Sequence, residues 1–241
     1  MSTLKAHNIE PATGSDVALG AAGDTITVSG DSLKLNTFKD SGGNTLFTSD
    51  GSGTLSSVNG ALGGEGPKLI LSQTASGSAN VAFTSGLTST YDKYMFVFVN
   101  INPATDSAFF TFQVSTNGGS SYGVAITSTM FVATVGEDGS NGRTEYVDAG
   151  DLDNATGYQP LGLYIGSAAD ESFSGQLNLF GPSSTTYVKH FLATGNLVSS
   201  SVYARNPYVG GYVNSTSAVN AINFKMSTGN FDGIIKMYGI K

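Results

Sequence analysis

From residue 69 to the C-terminus no segment sustains a helical period. Short runs alternate apolar with polar residues and stop at clusters of glycine, proline, asparagine or aspartate. Phe96/Phe98 and Phe110/Phe112 sit two residues apart, as they must if every second side chain of an extended strand faces the same side of a sheet. KLILSQTA, SANVAFTS, KYMFVFVNI, AFFTFQVST, YGVAITSTMFVATV, GLYIGS, GQLNLFG, YVKHFLATG, NAINFKMS and GIIKMYGI repeat this texture, and NPATD, TNGGSSYG, GEDGSNGR, FGPSST and STGNFDG supply turn chemistry between them. Only 12% of residues are charged, about half the usual share of about 25%, and there are 32 glycines. This composition suits strands and turns better than exposed helices. The expectation is an all-β fold, with a jelly-roll-like antiparallel β-sandwich over residues 67–241.

The first part of the chain reads differently. Residues 1–22 are small and polar and read as an extended arm. TITVSG, SLKLNTFKD, NTLFTSD and GTLSSVNG then form short strands between turns, with the alternation clearest at Ile26/Val28 and Leu33/Leu35. Residues 23–60 nevertheless contain only nine large apolar residues among 38, too few to offset the cost of ordering the chain by themselves. A segment of this kind is disordered, docks on the later sandwich, or meets copies of itself about a symmetry axis. The retained alternation favours the last: in an axial trimer one narrow apolar stripe per chain makes a shared core. Ile26, Val28, Leu33 and Leu35 are therefore expected at an oligomer interface. The domain reading is an N-terminal attachment arm and trimeric β-stalk over 1–60, a glycine-rich linker over 61–66, and the sandwich over 67–241.

The phrases LGAAGDTITVSGDSLKLNT and KDSGGNTLFTSDGSGTLSSVN resemble short β-repeat segments of tailed-bacteriophage virion proteins, especially tail fibres and appendages of marine phages. SQTASGSANVAFTSGLTSTYDKYMFVFVNINPATD, FTFQVSTNGGSSY and GPSSTTYVKHF are similar to a globular module of the same proteins. The resemblance implies a homotrimer in the virion, contacting other virion proteins through its N-terminal arm and facing outward with its sandwich. The expected function is a tail-fibre or appendage subunit that displays the sandwich to a host-surface glycan. The alternatives are a capsid (head) decoration, cement or head-fibre protein, and a carbohydrate-binding module or glycan-active enzyme.

Charge and motifs narrow the chemistry. Eleven Lys and Arg against 18 Asp and Glu give a net charge of −7, which argues against nucleic acid as a partner. MSTLKAHNIEPATGSD has no apolar core behind basic residues, and no apolar run reaches the roughly 18 residues of a membrane span, so the chain reads as soluble, with neither membrane insertion nor an export signal of its own. The absence of cysteine excludes disulfides and thiolate chemistry. Gly119-Ser120-Ser121-Tyr122-Gly123 matches G-x-S-x-G, but a strand follows where a nucleophile elbow needs a helix, so it reads as a hairpin turn. The histidines are His7 and His190. His190 alternates with Val188 and Leu192, as a satisfied strand residue would. No catalytic residue and no obligatory cofactor are expected.

Two stretches remain as candidate sites. The longest polar loop, DAGDLDNATGYQP (148–160), carries Asp148, Asp151 and Asp153, oxygen donors of the type calcium takes. YARNPYVGGYV gathers Tyr203, Arg205, Asn206, Tyr208 and Tyr212 around a proline and two glycines. It reads as a tyrosine-rich hairpin that either packs its own sandwich or meets a sugar ring or protein partner.

Overall fold

The computed structural model describes residues 37–40, 42–52, 55–56 and 66–241. The chain divides into two compact units at Gly64/Glu65, inside the glycine-rich stretch. Ile26, Val28, Leu33 and Leu35 lie outside the described residues, as does His7.

The first unit contains β1 (Thr37–Lys39), β2 (Thr45–Ser49) and β3 (Leu55–Ser56), an antiparallel meander in that order. Asp40 closes the first turn by accepting the amides of Gly42 at 2.9 Å and Asn44 at 2.8 Å, while Gly43 adopts φ 81°, a conformation glycine takes without steric cost. Phe38 and Phe47, paired across the strands, stack at 5.3 Å. None of the described residues whose burial is known in this unit is buried.

The second unit contains β4 (Lys68–Ser78), β5 (Val81–Phe83), β6 (Lys93–Pro103), β7 (Ala108–Ser115), β8 (Ile126–Gly136), β9 (Arg143–Tyr146), β10 (Gln159–Ile165), β11 (Phe173–Phe180), β12 (Lys189–Val198), β13 (Tyr203–Val213), β14 (Ala221–Met226) and β15 (Phe231–Ile240). They form two antiparallel sheets, an eight-stranded one in the order β4-β15-β6-β11-β12-β13-β8-β9 and a four-stranded one in the order β10-β7-β14-β5. The result is an unequal β-sandwich, whose larger sheet contains the meander β11-β12-β13. Among the described residues no helix is long and apolar enough to cross a membrane.

Phenylalanine joins the sheets. Phe224 of β14 lies 5.3 Å from Phe96 and 5.2 Å from Phe98 of the larger sheet, and 5.9 Å from Phe110 of its own. Phe112 meets Phe191 edge to face at 5.2 Å. Each such pair adds about 0.5–1.5 kcal/mol beyond the area it buries. On the opposite face of β7, Gln113 is fully buried and its amide donates to the carbonyls of Val124, Thr156 and Gly157, tying two long loops to the sheet.

Two sequence expectations need correction. Gly119–Gly123 is not a hairpin turn: it links β7 in one sheet to β8 in the other, and Ser121 is occupied in accepting from Asn117. YARNPYVGGYV is not a hairpin either, but the single eleven-residue strand β13, hydrogen-bonded on both sides. Proline lacks the ladder donor. The pairing with β12 lapses between Thr194↔Tyr208 and Leu197↔Arg205, opposite Pro207, and the Asn196 amide bridges the gap by donating to the Arg205 carbonyl at 3.3 Å.

Candidate binding groove

Alternation along β13 decides where its candidate residues go. Pro207, Val209 and Val213 are buried on the inner side of the large sheet, so Tyr203 and Arg205 point to that side and Asn206, Tyr208 and Tyr212 to the outer side. The five residues taken together from the sequence therefore belong to two places.

On the outer side, register builds a surface across five strands. Tyr146, Phe131, Tyr208, Thr194 and Gln176 are successive cross-strand partners, and Thr129, Gly210, Leu192 and Asn178 form the next row. Phe131 and Tyr208 stack at 4.8 Å with rings 10° from parallel. Gly210 has no side chain, and the gap beside these rings opens a shallow groove of about 440 Å³, closed on its other side by Leu192. A Cβ on Gly210 would approach the Leu192 Cδ2 at 3.3 Å. Leu192 is 58% exposed, Phe131 47% and Tyr208 41%, far more than such side chains retain when they serve only a core.

Gln176 and Asn178 place amides at the groove's edge, while no carboxylate, histidine or lysine lines it. The chemistry available is contact chemistry: apolar and aromatic faces that take the flat side of a ring, and amides that orient its hydroxyl groups. Beyond the groove, His190 and Tyr212 continue the outer face with rings 6.1 Å apart. His190 is exposed rather than enclosed; the buried face of β12 carries Lys189, Phe191 and Ala193. Tyr146 donates its hydroxyl to the Asp151 carboxylate, which holds the phenol pKa above its ordinary value.

The aspartates do not form the metal site considered from sequence. The chain turns through a 3-10 helix at Asp148–Gly150; Asp148 accepts from the Ala149 amide, Asp151 is engaged by Tyr146, and Asp153 is exposed. Among the described residues no group of three or more His, Cys, Asp or Glu is placed to hold a metal ion.

Sequence reasoning found Tyr208 but missed Phe131, Leu192, Gln176 and Asn178. For Phe131 a signal existed: it is the one aromatic on a strand face otherwise carrying Thr127, Thr129, Ala133 and Val135. For the others none did, because strand order alone brings them together. No protein-family model, curated protein or solved structure matches the chain.

Proposed function

We propose that this protein is a structural component of a tailed-phage virion, a trimeric tail-fibre or appendage subunit whose β-sandwich contacts host-surface glycan through the groove of Phe131, Tyr208 and Leu192. The exposed aromatic stack beside the Gly210 gap carries the glycan reading: it retains apolar area in water, with the amides of Gln176 and Asn178 at one edge, where a monomer gains nothing from exposing it. The phage reading rests on the sequence phrases in both units. The trimer reading is supported by the first unit, whose described strands bury no side chain of known burial within the single chain. Trimerisation would also make a shallow site effective, since three weak contacts presented together bind far more tightly than one.

A glycan array probed with the full chain tests the groove. Binding to at least one surface polysaccharide, lost in Tyr208→Ala and in the groove-filling Gly210→Val, is expected. An array with no retained glycan, together with particle density placing the chain on the head, would replace this reading with capsid decoration. Turnover of a polysaccharide by the purified protein would replace it with an enzyme.

A further inference from the structure

The chain has two arginines in 241 residues, Arg143 and Arg205, and both line one cavity. It measures about 250 Å³ and lies on the inner side of the large sheet at the ends of β8, β9 and β13, apart from the outer groove. We infer that this cavity is a binding site for a small polyhydroxylated carboxylate, such as an acidic sugar residue, with the carboxylate held by Arg205 and Arg143.

Four observations converge. First, the Arg205 guanidinium is largely withdrawn from water, its side chain 11% exposed, yet its Nε is buried without a protein partner and its ion pair with Glu145 is long, at 3.7 Å. Tyr164 lies beneath it, ring centre 5.3 Å from Cζ. Second, the Thr134 Oγ1, in the same cavity, is also buried without a partner. Leaving such groups unpaired is costly, and a ligand that reached them would satisfy both.

Third, the charged side chains that line this cavity are both cationic. Glu145 engages Arg143 in a two-point pair, at 3.0 and 3.2 Å, so two guanidinium groups face one carboxylate. Burial lowers the Arg205 pKa, and Glu145 only partly opposes that, so a second carboxylate would relieve an uncompensated cost. Fourth, the backbone is strained around this cavity. Ser107, Tyr164 and Val202 adopt φ of 58°, 61° and 60°; Ser107 and Tyr164 line the cavity and Val202 lies in its rim between Ser201 and Tyr203. An aromatic and a β-branched residue hold that conformation only where the surroundings impose it, a pattern that gathers at ligand sites.

The neighbouring space selects an acid that carries hydroxyl groups. A second cavity of about 270 Å³ shares Ser201 and Tyr203 with the first and is lined by Glu137, Asp138 and Ser140. Its carboxylates repel an anion but accept from hydroxyl groups, so a ligand would lie with its carboxylate at the arginines and its hydroxyls toward Glu137 and Asp138. A bare phosphate or sulfate uses only the arginine end.

Titration calorimetry with the full chain tests this, using glucuronate, galacturonate and N-acetylneuraminate, with galactose, inorganic phosphate and sulfate as comparison probes. At least one acidic sugar is expected to bind at least ~10-fold more tightly than galactose or either inorganic anion. Arg143→Gln, at a half-exposed position on the edge strand β9, is expected to weaken it at least ~10-fold, the equivalent of about 1.4 kcal/mol. Arg205→Lys is expected to weaken it too, because the charge stays while the planar fork is lost. Gly210→Val, which fills the outer groove, is expected to leave this binding intact, so failure of the groove and failure of this cavity are distinguishable. No binding of any acidic sugar by the wild-type chain would overturn the inference, as would binding unchanged in Arg143→Gln. Phosphate or sulfate binding as tightly as the sugars would overturn the carboxylate assignment.

Discussion

Phe224 links the two sheets, and removing its ring measures how far the sandwich depends on that link. The side chain is fully buried, and besides Phe96, Phe98 and Phe110 it approaches Phe83 at 6.2 Å and Phe112 at 6.5 Å. Phe224→Ala removes a buried phenyl and leaves a void among five rings that cannot all move inward. The expected loss is about 3–5 kcal/mol, a fall in Tm of about 6–20 °C for a unit of this size. Phe224→Leu keeps most of the volume and loses the ring-to-ring terms, for an expected loss of about 1–2 kcal/mol. Calorimetry and urea titration of both variants read these numbers. A Tm within about 3 °C of wild type for Phe224→Ala, equivalent to about 1 kcal/mol, would refute the claim that phenylalanine packing holds the sheets together. A second readout concerns the groove. Its lining comes wholly from β8, β11, β12 and β13 of the large sheet, so below the transition the Phe131–Tyr208 ring contacts seen by NMR should persist in Phe224→Leu. Their loss while the variant is folded would show that the outer face depends on the smaller sheet.

Lys189 is fully buried, its ammonium donating to the carbonyls of Tyr187 and Ser215, and burial lowers its pKa. The unfolded chain therefore holds this proton more tightly, and the residue's contribution to stability should rise as pH climbs from the folded pKa toward the ordinary lysine value; the unfolding free energy of wild type minus Lys189→Met, followed upward from pH 7, should increase, and a flat difference would contradict it. Gly195→Ala drives a Cβ into the Phe173 ring, 2.6 Å from its Cζ, and 2.8 Å from the Ser174 carbonyl, so urea denaturation should show a loss of about 1–3 kcal/mol. Gln113→Leu strands three carbonyls at an expected cost of about 1–3 kcal/mol, and limited proteolysis should then cut within residues 148–158 faster than in wild type.

The strands of the sandwich were legible because burial on one face writes a period of two into the sequence, as Phe96/Phe98 and Phe110/Phe112 do. Their grouping into eight and four was not. Which strand lies beside which depends on partners far apart in the chain: β15 sits between β4 and β6, and β8 beside β13. Nothing in residues 126–136 names residues 203–213 as their neighbour. Proline and glycine misled for a related reason. In YARNPYVGGYV they signal a turn locally, whereas the structure keeps the strand continuous by letting one ladder lapse at Pro207 and covering the gap with the Asn196 side chain, a remedy supplied by another strand.

The division of the candidate site is written in the parity of residues 203–213. Once residues 203–213 are taken as a strand, odd and even positions face opposite sides, and Tyr203 and Arg205 cannot share a surface with Tyr208 and Tyr212. That parity has a functional consequence. The outer positions meet Phe131, Leu192 and the amides of β11 and give an uncharged groove; the inner ones lie against the edge strand β10 of the smaller sheet, where Tyr164 packs beneath Arg205, and meet Arg143, Glu145 and the serine-rich turn before β13. One strand thereby serves two surfaces of contrasting chemistry, one suited to neutral rings and one to an acid. A long glycan bearing acidic residues that filled both would be gripped at two places on opposite sides of a single strand. Two contacts separated by the thickness of a sheet cannot be made by one short oligosaccharide, so Tyr208→Ala should weaken binding of a short neutral oligosaccharide and spare that of an acidic one, and Arg143→Gln should do the reverse.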